Sequence, residues 1–175
     1  MEVPEVHALQ AITWQLFGTL TFKSERLSQT KRLRMWFALA RRVAKWNRVH
    51  FLELLWCLRI ERGEIFERLH MHFLIAGLPA YSLTESKNLS IMNQWERFGG
   101  GNARVRLYDP SLAGGEYTLK CLGVTDPGSA YESGKFSEVT SELMLSKSVW
   151  RVALSSKRRT RNDLISLMAK RALAS

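Results

Sequence analysis

Residues 69–76 read Leu-His-Met-His-Phe-Leu-Ile-Ala, and this stretch decides the fold of the chain. Every second residue from Met71 onward is apolar, and the positions before and after Met71 carry His70 and His72. This is the period of a half-buried β-strand, with one face in the core and the other carrying both imidazoles. Two imidazoles on one strand face can bind a single metal ion. Two unrelated surface histidines are the simpler interpretation of the same pair.

A second strand precedes this one, over Leu-Leu-Trp-Cys-Leu-Arg-Ile-Glu-Arg at 54–62. Apolar residues at every second position place Glu61 on the polar face of that strand. Gly63-Glu64 is a turn signal, so the two strands are predicted to form an antiparallel hairpin. Glu61 then pairs with His70 or His72, and in either register it shares the histidine face.

Glu61, His70 and His72 are therefore candidate metal ligands. Two imidazoles and one carboxylate leave open positions on the ion, and they suit Mg, Mn or another divalent cation better than a closed structural zinc site. Alternatively, Glu61 is a solvated strand residue paired with Arg59 or Arg62.

A candidate nucleophile follows in Gly-Gly-Glu-Tyr-Thr-Leu-Lys-Cys-Leu-Gly at 114–123. Asp109-Pro110 resembles a helix start and Gly123 a helix stop, so residues 111–122 are predicted to be helical. Tyr117 and Lys120 then share one helix face. A tyrosine can act as a covalent nucleophile when its phenol is deprotonated or its target is polarised, and a nearby ammonium favours both. Taken alone, this spacing is more typical of an amphipathic surface helix.

The chain is strongly basic, with a formal net charge of +10 and a pI of about 10.1. Such an excess favours a polyanionic partner, most often nucleic acid, although charge can also serve solubility alone. Part of it lies beside the apolar stripe of a predicted helix over 30–48, and part near the end of the chain. The candidate DNA-binding residues are Arg34, Arg41, Lys45 and Arg48 on the helix and Lys157, Arg158, Arg159 and Arg161 in the second cluster.

The coarse order of elements is strand (13–22), helix (30–48), strand (51–62), strand (69–76), helix (84–98), strand (102–108) and helix (111–122). The order βαββαβ predicts an α+β, ferredoxin-like fold, with an antiparallel sheet and two helices on one of its faces. Thr84 is predicted to cap the second helix. A further strand within Leu143–Val152 would make the sheet five-stranded.

A chain of 175 residues suits one domain, with a core of about 12–123 and a C-terminal basic extension of about 137–175. No apolar run is long enough to span a bilayer, and no signal peptide is visible. Cys57 and Cys121 lie in apolar sequence and are expected to be reduced, which indicates a cytoplasmic protein. The sequence has no Gly-Lys-Ser/Thr phosphate-binding loop, so no attached helicase is expected.

Three motifs in this order resemble the HUH endonucleases, specifically the single-tyrosine replication initiators (Rep) of rolling-circle plasmids and small DNA viruses. They are the apolar strand Phe17-Gly-Thr-Leu-Thr-Phe22, the pair His70-Met-His72 with Glu61 upstream, and Tyr117-Thr-Leu-Lys120. The resemblance covers roughly residues 12–123. One departure is Cys121, where many relatives have an aromatic residue after the motif lysine.

The resemblance implies an HUH endonuclease fold and a metal-dependent enzyme that nicks single-stranded DNA at a specific site, at a replication origin or hairpin. Glu61, His70 and His72 would hold the divalent cation, Mn or Mg. Tyr117 would become linked to the 5′ phosphate and free a 3′ hydroxyl that primes rolling-circle synthesis, and Lys120 would orient or ionise Tyr117. Host replication proteins are possible further partners.

Three alternatives stay open. An HUH transposase acting on repeat or insertion-sequence elements also combines a His-x-His pair with a later tyrosine helix, although such proteins as a rule lack the lysine spacing. A non-catalytic nucleic-acid-binding module could use the same sheet, as common RNA binders do. A zinc hydrolase using two histidines and a glutamate would need no tyrosine, but the familiar His-Glu-x-x-His helix is missing.

Overall fold

The computed structural model describes residues 12–62, 68–109, 142–149 and 151–152, with the backbone alone at 61–62 and 142–145. Within these residues, five strands and two α-helices follow one another in the order βαββαβ, with the fifth strand last. The strands are β1 (Leu16–Phe22), β2 (Leu55–Arg62), β3 (Leu69–Ala76), β4 (Gly100–Leu107) and β5 (Glu142–Leu145). The helices are α1 (Gln29–Trp46) and α2 (Glu85–Arg97), with a 3₁₀ turn at Ala80–Ser82.

The sheet is antiparallel throughout, with the strand order β4-β1-β3-β2-β5. Its first four strands have the order of a ferredoxin-like sheet, so the predicted α+β architecture is confirmed at that level. β3 lies at the centre, between β1 and β2. The histidine strand is therefore flanked on both sides by strands that can place residues beside it.

Both helices begin at side-chain caps. The Ser28 hydroxyl accepts a hydrogen bond from the Lys31 amide, and the Thr84 hydroxyl accepts one from the Lys87 amide. These contacts satisfy amides that the first helical turn leaves unpaired. The cap predicted at Thr84 is confirmed, and Gly99, at a φ of 84°, ends α2 in the left-handed conformation that glycine adopts readily.

The main core lies between the helices and one face of the sheet. Trp36 on α1 packs against Phe73 on β3 with ring centroids 4.9 Å apart, and Trp95 on α2 is fully buried. Met71 and Ile75 point into the same layer. The helices therefore cover the β3 face that carries Met71, Phe73 and Ile75, as the alternation in the sequence predicts.

A smaller apolar cluster covers one end of the opposite face. Ile12 and Trp14, which precede β1, pack there with Cys57, Leu74 and Val149. β5 ends at Leu145, so the strand predicted within Leu143–Val152 is shorter than that interval, and residues 147–149 are helical. Ser146 lies between β5 and these helical residues. Its hydroxyl accepts hydrogen bonds from the Val149 and Trp56 amides.

None of the helices within the described part of the chain is long and apolar enough to cross a membrane.

Candidate functional site

His70 and His72 lie on the sheet face opposite α1 and α2, the face that also carries the smaller apolar cluster. In the β2–β3 register, Glu61 is directly opposite His70 and Arg59 is directly opposite His72. Directly paired residues in antiparallel strands point to the same face. Of the two registers that the sequence allows, the structure thus has Glu61 paired with His70, and it places all three predicted metal ligands on one face.

The His70 ring is oriented by the backbone just before its own strand. Nδ1 donates a hydrogen bond to the Arg68 carbonyl oxygen over 3.2 Å, since a carbonyl can only accept. A neutral imidazole that donates from Nδ1 carries its lone pair on Nε2. Metal-binding histidines commonly have this arrangement, with the second ring nitrogen donating to a carbonyl or carboxylate.

The His72 ring is held on two sides. Its Nδ1 lies 3.0 Å from the Thr19 hydroxyl on β1, and its plane stacks on Phe17 with centroids 5.9 Å apart and an interplanar angle of 16°. His72 is only 6% exposed. A hydroxyl can accept or donate, and the tautomer in which Nδ1 donates to the Thr19 oxygen is the one that carries the lone pair on Nε2.

The two imidazoles are in contact. Their ring centroids are 4.7 Å apart and their planes nearly perpendicular, at 86°. Each of the two rings has Nδ1 at an oxygen atom, which leaves Nε2 as the candidate metal-binding atom of each histidine. Among the side chains that the structure describes, no three His, Cys, Asp or Glu residues come together. Of Glu61 the structure describes only the backbone, which lies directly opposite His70.

Cys57 and Arg59 lie on the same face of β2 but are sealed from solvent. Arg59 is 1% exposed and Cys57 is fully buried beside Leu74. Burial raises the pKa of the Cys57 thiol well above its usual range, and the nearby positive charge of Arg59 offsets this only in part. Cys57 is therefore a protonated apolar side chain and not a candidate metal ligand.

Two arginines on β4 belong to the histidine face, and sequence reasoning missed them. Arg104 pairs with Thr19, which in turn pairs with His72, so these three residues form one row across the sheet. The Arg106 guanidinium lies 5.1 Å from the centre of the Phe17 ring, whose plane stacks on His72. Both arginines are exposed. Their signal in the sequence is the alternation Asn-Ala-Arg-Val-Arg-Leu at 102–107.

The predicted DNA-binding residues of α1 lie elsewhere. Arg34, Arg41, Lys45 and Arg48 are all exposed. However, α1 belongs to the layer on the other side of the sheet, so the structure does not bring these residues together with His70 and His72. The Arg41 guanidinium lies over the Phe51 ring, at 5.1 Å from its centre.

Several predicted site residues lie outside the described part of the chain. They are Tyr117 and Lys120, with the helix predicted over 111–122, and the basic residues Lys157, Arg158, Arg159 and Arg161. The turn predicted at Gly63-Glu64 and the thiol of Cys121 also lie outside it.

Comparison with known proteins found no match: no protein-family model, no curated protein and no solved structure is significantly similar to the chain.

Proposed function

We propose that this chain is a metal-dependent endonuclease of the HUH type that nicks single-stranded DNA at a specific site. The observation that carries the proposal is the pair His70 and His72, in contact and each with Nδ1 at an oxygen atom, on the face of a ferredoxin-like sheet away from α1 and α2, with Glu61 directly opposite His70. In an HUH fold this face holds the nuclease site. The net charge of +10 fits a polyanionic substrate.

Glu61, His70 and His72 would hold the divalent cation, Mn or Mg. When bound, the cation polarises the scissile phosphate and offsets the charge that develops during the displacement. The chain contributes orientation, because the Arg68 carbonyl and the Thr19 hydroxyl fix the rotation of the two imidazoles before metal arrives.

Tyr117 would be the nucleophile. Its phenolate oxygen attacks the phosphorus in line, a bond forms between that oxygen and phosphorus, and the bond from phosphorus to the 3′ oxygen breaks. The departing 3′ oxygen takes up a proton and becomes a hydroxyl, while the 5′ phosphate stays on Tyr117. Lys120, one helical turn away in the predicted helix, would favour the phenolate by its positive charge.

The 3′ hydroxyl can prime synthesis, so the proposed cellular role is initiation of rolling-circle replication. An HUH transposase acting on repeat or insertion-sequence elements is the second candidate, because it would share the histidine pair and the tyrosine. An experiment in cells distinguishes the initiator from the transposase. An initiator leads to copying of the plasmid that carries its target site, whereas a transposase leads to excision or insertion of the element.

The direct test is covalent capture. The protein is incubated with a pool of single-stranded oligonucleotides and Mn, and intact mass and peptide mapping locate any adduct. We expect an adduct on Tyr117 in the unaltered protein and none in Tyr117→Phe or His70→Ala. Tyr81→Phe is the matched control, because Tyr81 is 62% exposed and its hydroxyl donates to the Asn47 carbonyl at the end of α1, away from the histidines.

An adduct mapped to Tyr81, Tyr108 or Tyr131 would overturn the assignment of the nucleophile. Binding of the oligonucleotides without any adduct would favour the non-catalytic nucleic-acid-binding module. Cleavage that persists in Tyr117→Phe and needs metal would favour a hydrolase that uses a metal-bound water.

A further inference from the structure

β4 is the strand that carries positive charge onto the histidine face. Arg104 and Arg106 are two positions apart on this strand, so their side chains leave the sheet on the same side. The face is identified by the contact of Arg106 with the Phe17 ring, since Phe17 stacks on His72. Both arginines are exposed, whereas Arg59, on the other side of β3, is buried.

The row from Arg104 to His72 has the dimensions of a phosphate site. Neighbouring strands lie about 4.8 Å apart, so two strand spacings, roughly 10 Å, separate the backbones of Arg104 and His72. Thr19 lies between them and presents a short side chain. A phosphate above Thr19 is thus within reach of the long Arg104 side chain from one side and of the histidine pair from the other.

We propose that Arg104 and Arg106 bind the backbone phosphates of the single strand next to the one being cleaved, so that the strand reaches the histidines across β4 and β1. This inference rests on the proposed function. The partner is a single-stranded polynucleotide because guanidinium groups bind phosphate oxygens by charge-assisted hydrogen bonds. The contact with Phe17 keeps the Arg106 guanidinium on this face.

The surface differs from the one that the sequence predicts on α1. Arg41 and Lys45 lie in the helix layer, behind the sheet as seen from His70. A strand bound along α1 would have to pass around an edge of the sheet to reach the histidines. A strand bound on β4 approaches them over the same face.

The experiment measures binding of a labelled oligothymidylate by fluorescence anisotropy at several salt concentrations, without metal and in a Tyr117→Phe background. The logarithm of the affinity falls linearly with the logarithm of the salt concentration. Arg104→Gln and Arg106→Gln should each reduce the magnitude of that slope by about 0.7, the value for one lost contact to a single strand. Arg97→Gln is the matched control, because Arg97 is an exposed arginine on α2, in the helix layer. Circular dichroism verifies that each variant is folded.

A salt dependence that becomes weaker in Arg104→Gln and Arg106→Gln but not in Arg97→Gln supports the β4 surface. A salt dependence that is unchanged in Arg104→Gln but weaker in Arg41→Gln or Lys45→Gln overturns the β4 surface. That result would not contradict the proposed nicking reaction. If binding depends on Arg104 but the unaltered protein forms no adduct with Mn, the proposed endonuclease fails and the surface stands. An unaltered protein that does not bind the oligonucleotide overturns both.

Discussion

The Thr19 hydroxyl on β1 is hydrogen-bonded to Nδ1 of His72 on β3, at 3.0 Å. Thr19 and His72 are directly paired in the register of these two strands. The bond therefore links a residue of the first motif to a residue of the second, and it gives the threonine of the first motif a defined role. That role is to set the rotation of the His72 ring.

Thr19→Val should weaken metal binding while leaving the fold intact. Valine has nearly the same shape but cannot hydrogen-bond to Nδ1, so the affinity for Mn should fall about 10-fold or more, as is typical when such an outer partner is lost. Isothermal titration calorimetry gives the affinity. Thr21→Val is the control, because the Thr21 hydroxyl donates to the Asn102 carbonyl. Equal affinities in Thr19→Val and the unaltered protein would exclude the proposed role.

Metal should stabilise the folded protein. A ligand that binds only the native state at about 100 times its Kd adds about 2.7 kcal/mol to the free energy of unfolding. For a domain of this size that corresponds to a rise in Tm of roughly 5–10 °C. Differential scanning calorimetry with and without Mn should show the rise in the unaltered protein but not in His70→Ala or His72→Ala. A rise that persists in both variants would place the metal elsewhere.

Gly18→Ala should destabilise the fold. A Cβ atom at Gly18 would overlap the Phe73 ring, which is fully buried and packs against Trp36. Overpacking of this kind costs about 1–3 kcal/mol. The expected fall in Tm is thus a few degrees or more, at about 2–4 °C per kcal/mol.

A second change tests the cause of that loss. In Gly18→Ala with Phe73→Leu, the smaller side chain removes the ring atoms that the new methyl group would meet. The double variant should therefore lose less stability than the sum of the two single changes. Simple additivity would mean that the cost of Gly18→Ala arises from the backbone instead.

Cys57 should resist alkylation in the native protein. Burial raises the pKa of its thiol, so the reactive thiolate stays scarce as pH rises through neutrality to about 9, where an exposed cysteine with a pKa of about 8.5 is largely ionised. Iodoacetamide labelling with peptide mapping, in buffer and in urea, should show modification of Cys57 only when the chain unfolds. Rapid labelling of Cys57 at pH 8 in the folded protein would contradict its burial.

The sequence predicted the central part of the molecule well because that part depends on local alternation. β3 was expected at 69–76 and is found at Leu69–Ala76. The sequence allowed two registers of the β2–β3 hairpin, with Glu61 opposite His70 or opposite His72, and both place Glu61 on the histidine face. Periodicity of two is a property of neighbouring residues, so it needs no knowledge of the rest of the fold.

What the sequence did not predict depends on contacts between distant segments. One alternative made Glu61 a solvated strand residue paired with Arg59 or Arg62, yet Arg59 is buried, on a strand that has β5 along its outer edge. Arg104 lies on the histidine face because β4 pairs with β1. The alternation at 102–107 was visible in the sequence, but its polar face could be assigned only from the strand order.

The alternation of β3 also constrains which kinds of mutation the protein can tolerate. Met71 and Phe73 face the helices while His70 and His72 face away, and the two sets differ only by one step along the chain. Inserting or deleting a single residue within this strand would exchange the two sets, placing imidazoles in the apolar core and large apolar side chains at the site. A substitution, in contrast, changes one face and leaves the other as it was. In a screen of random single-residue insertions and deletions, we therefore expect no variant altered within 70–75 to retain both the fold and the activity.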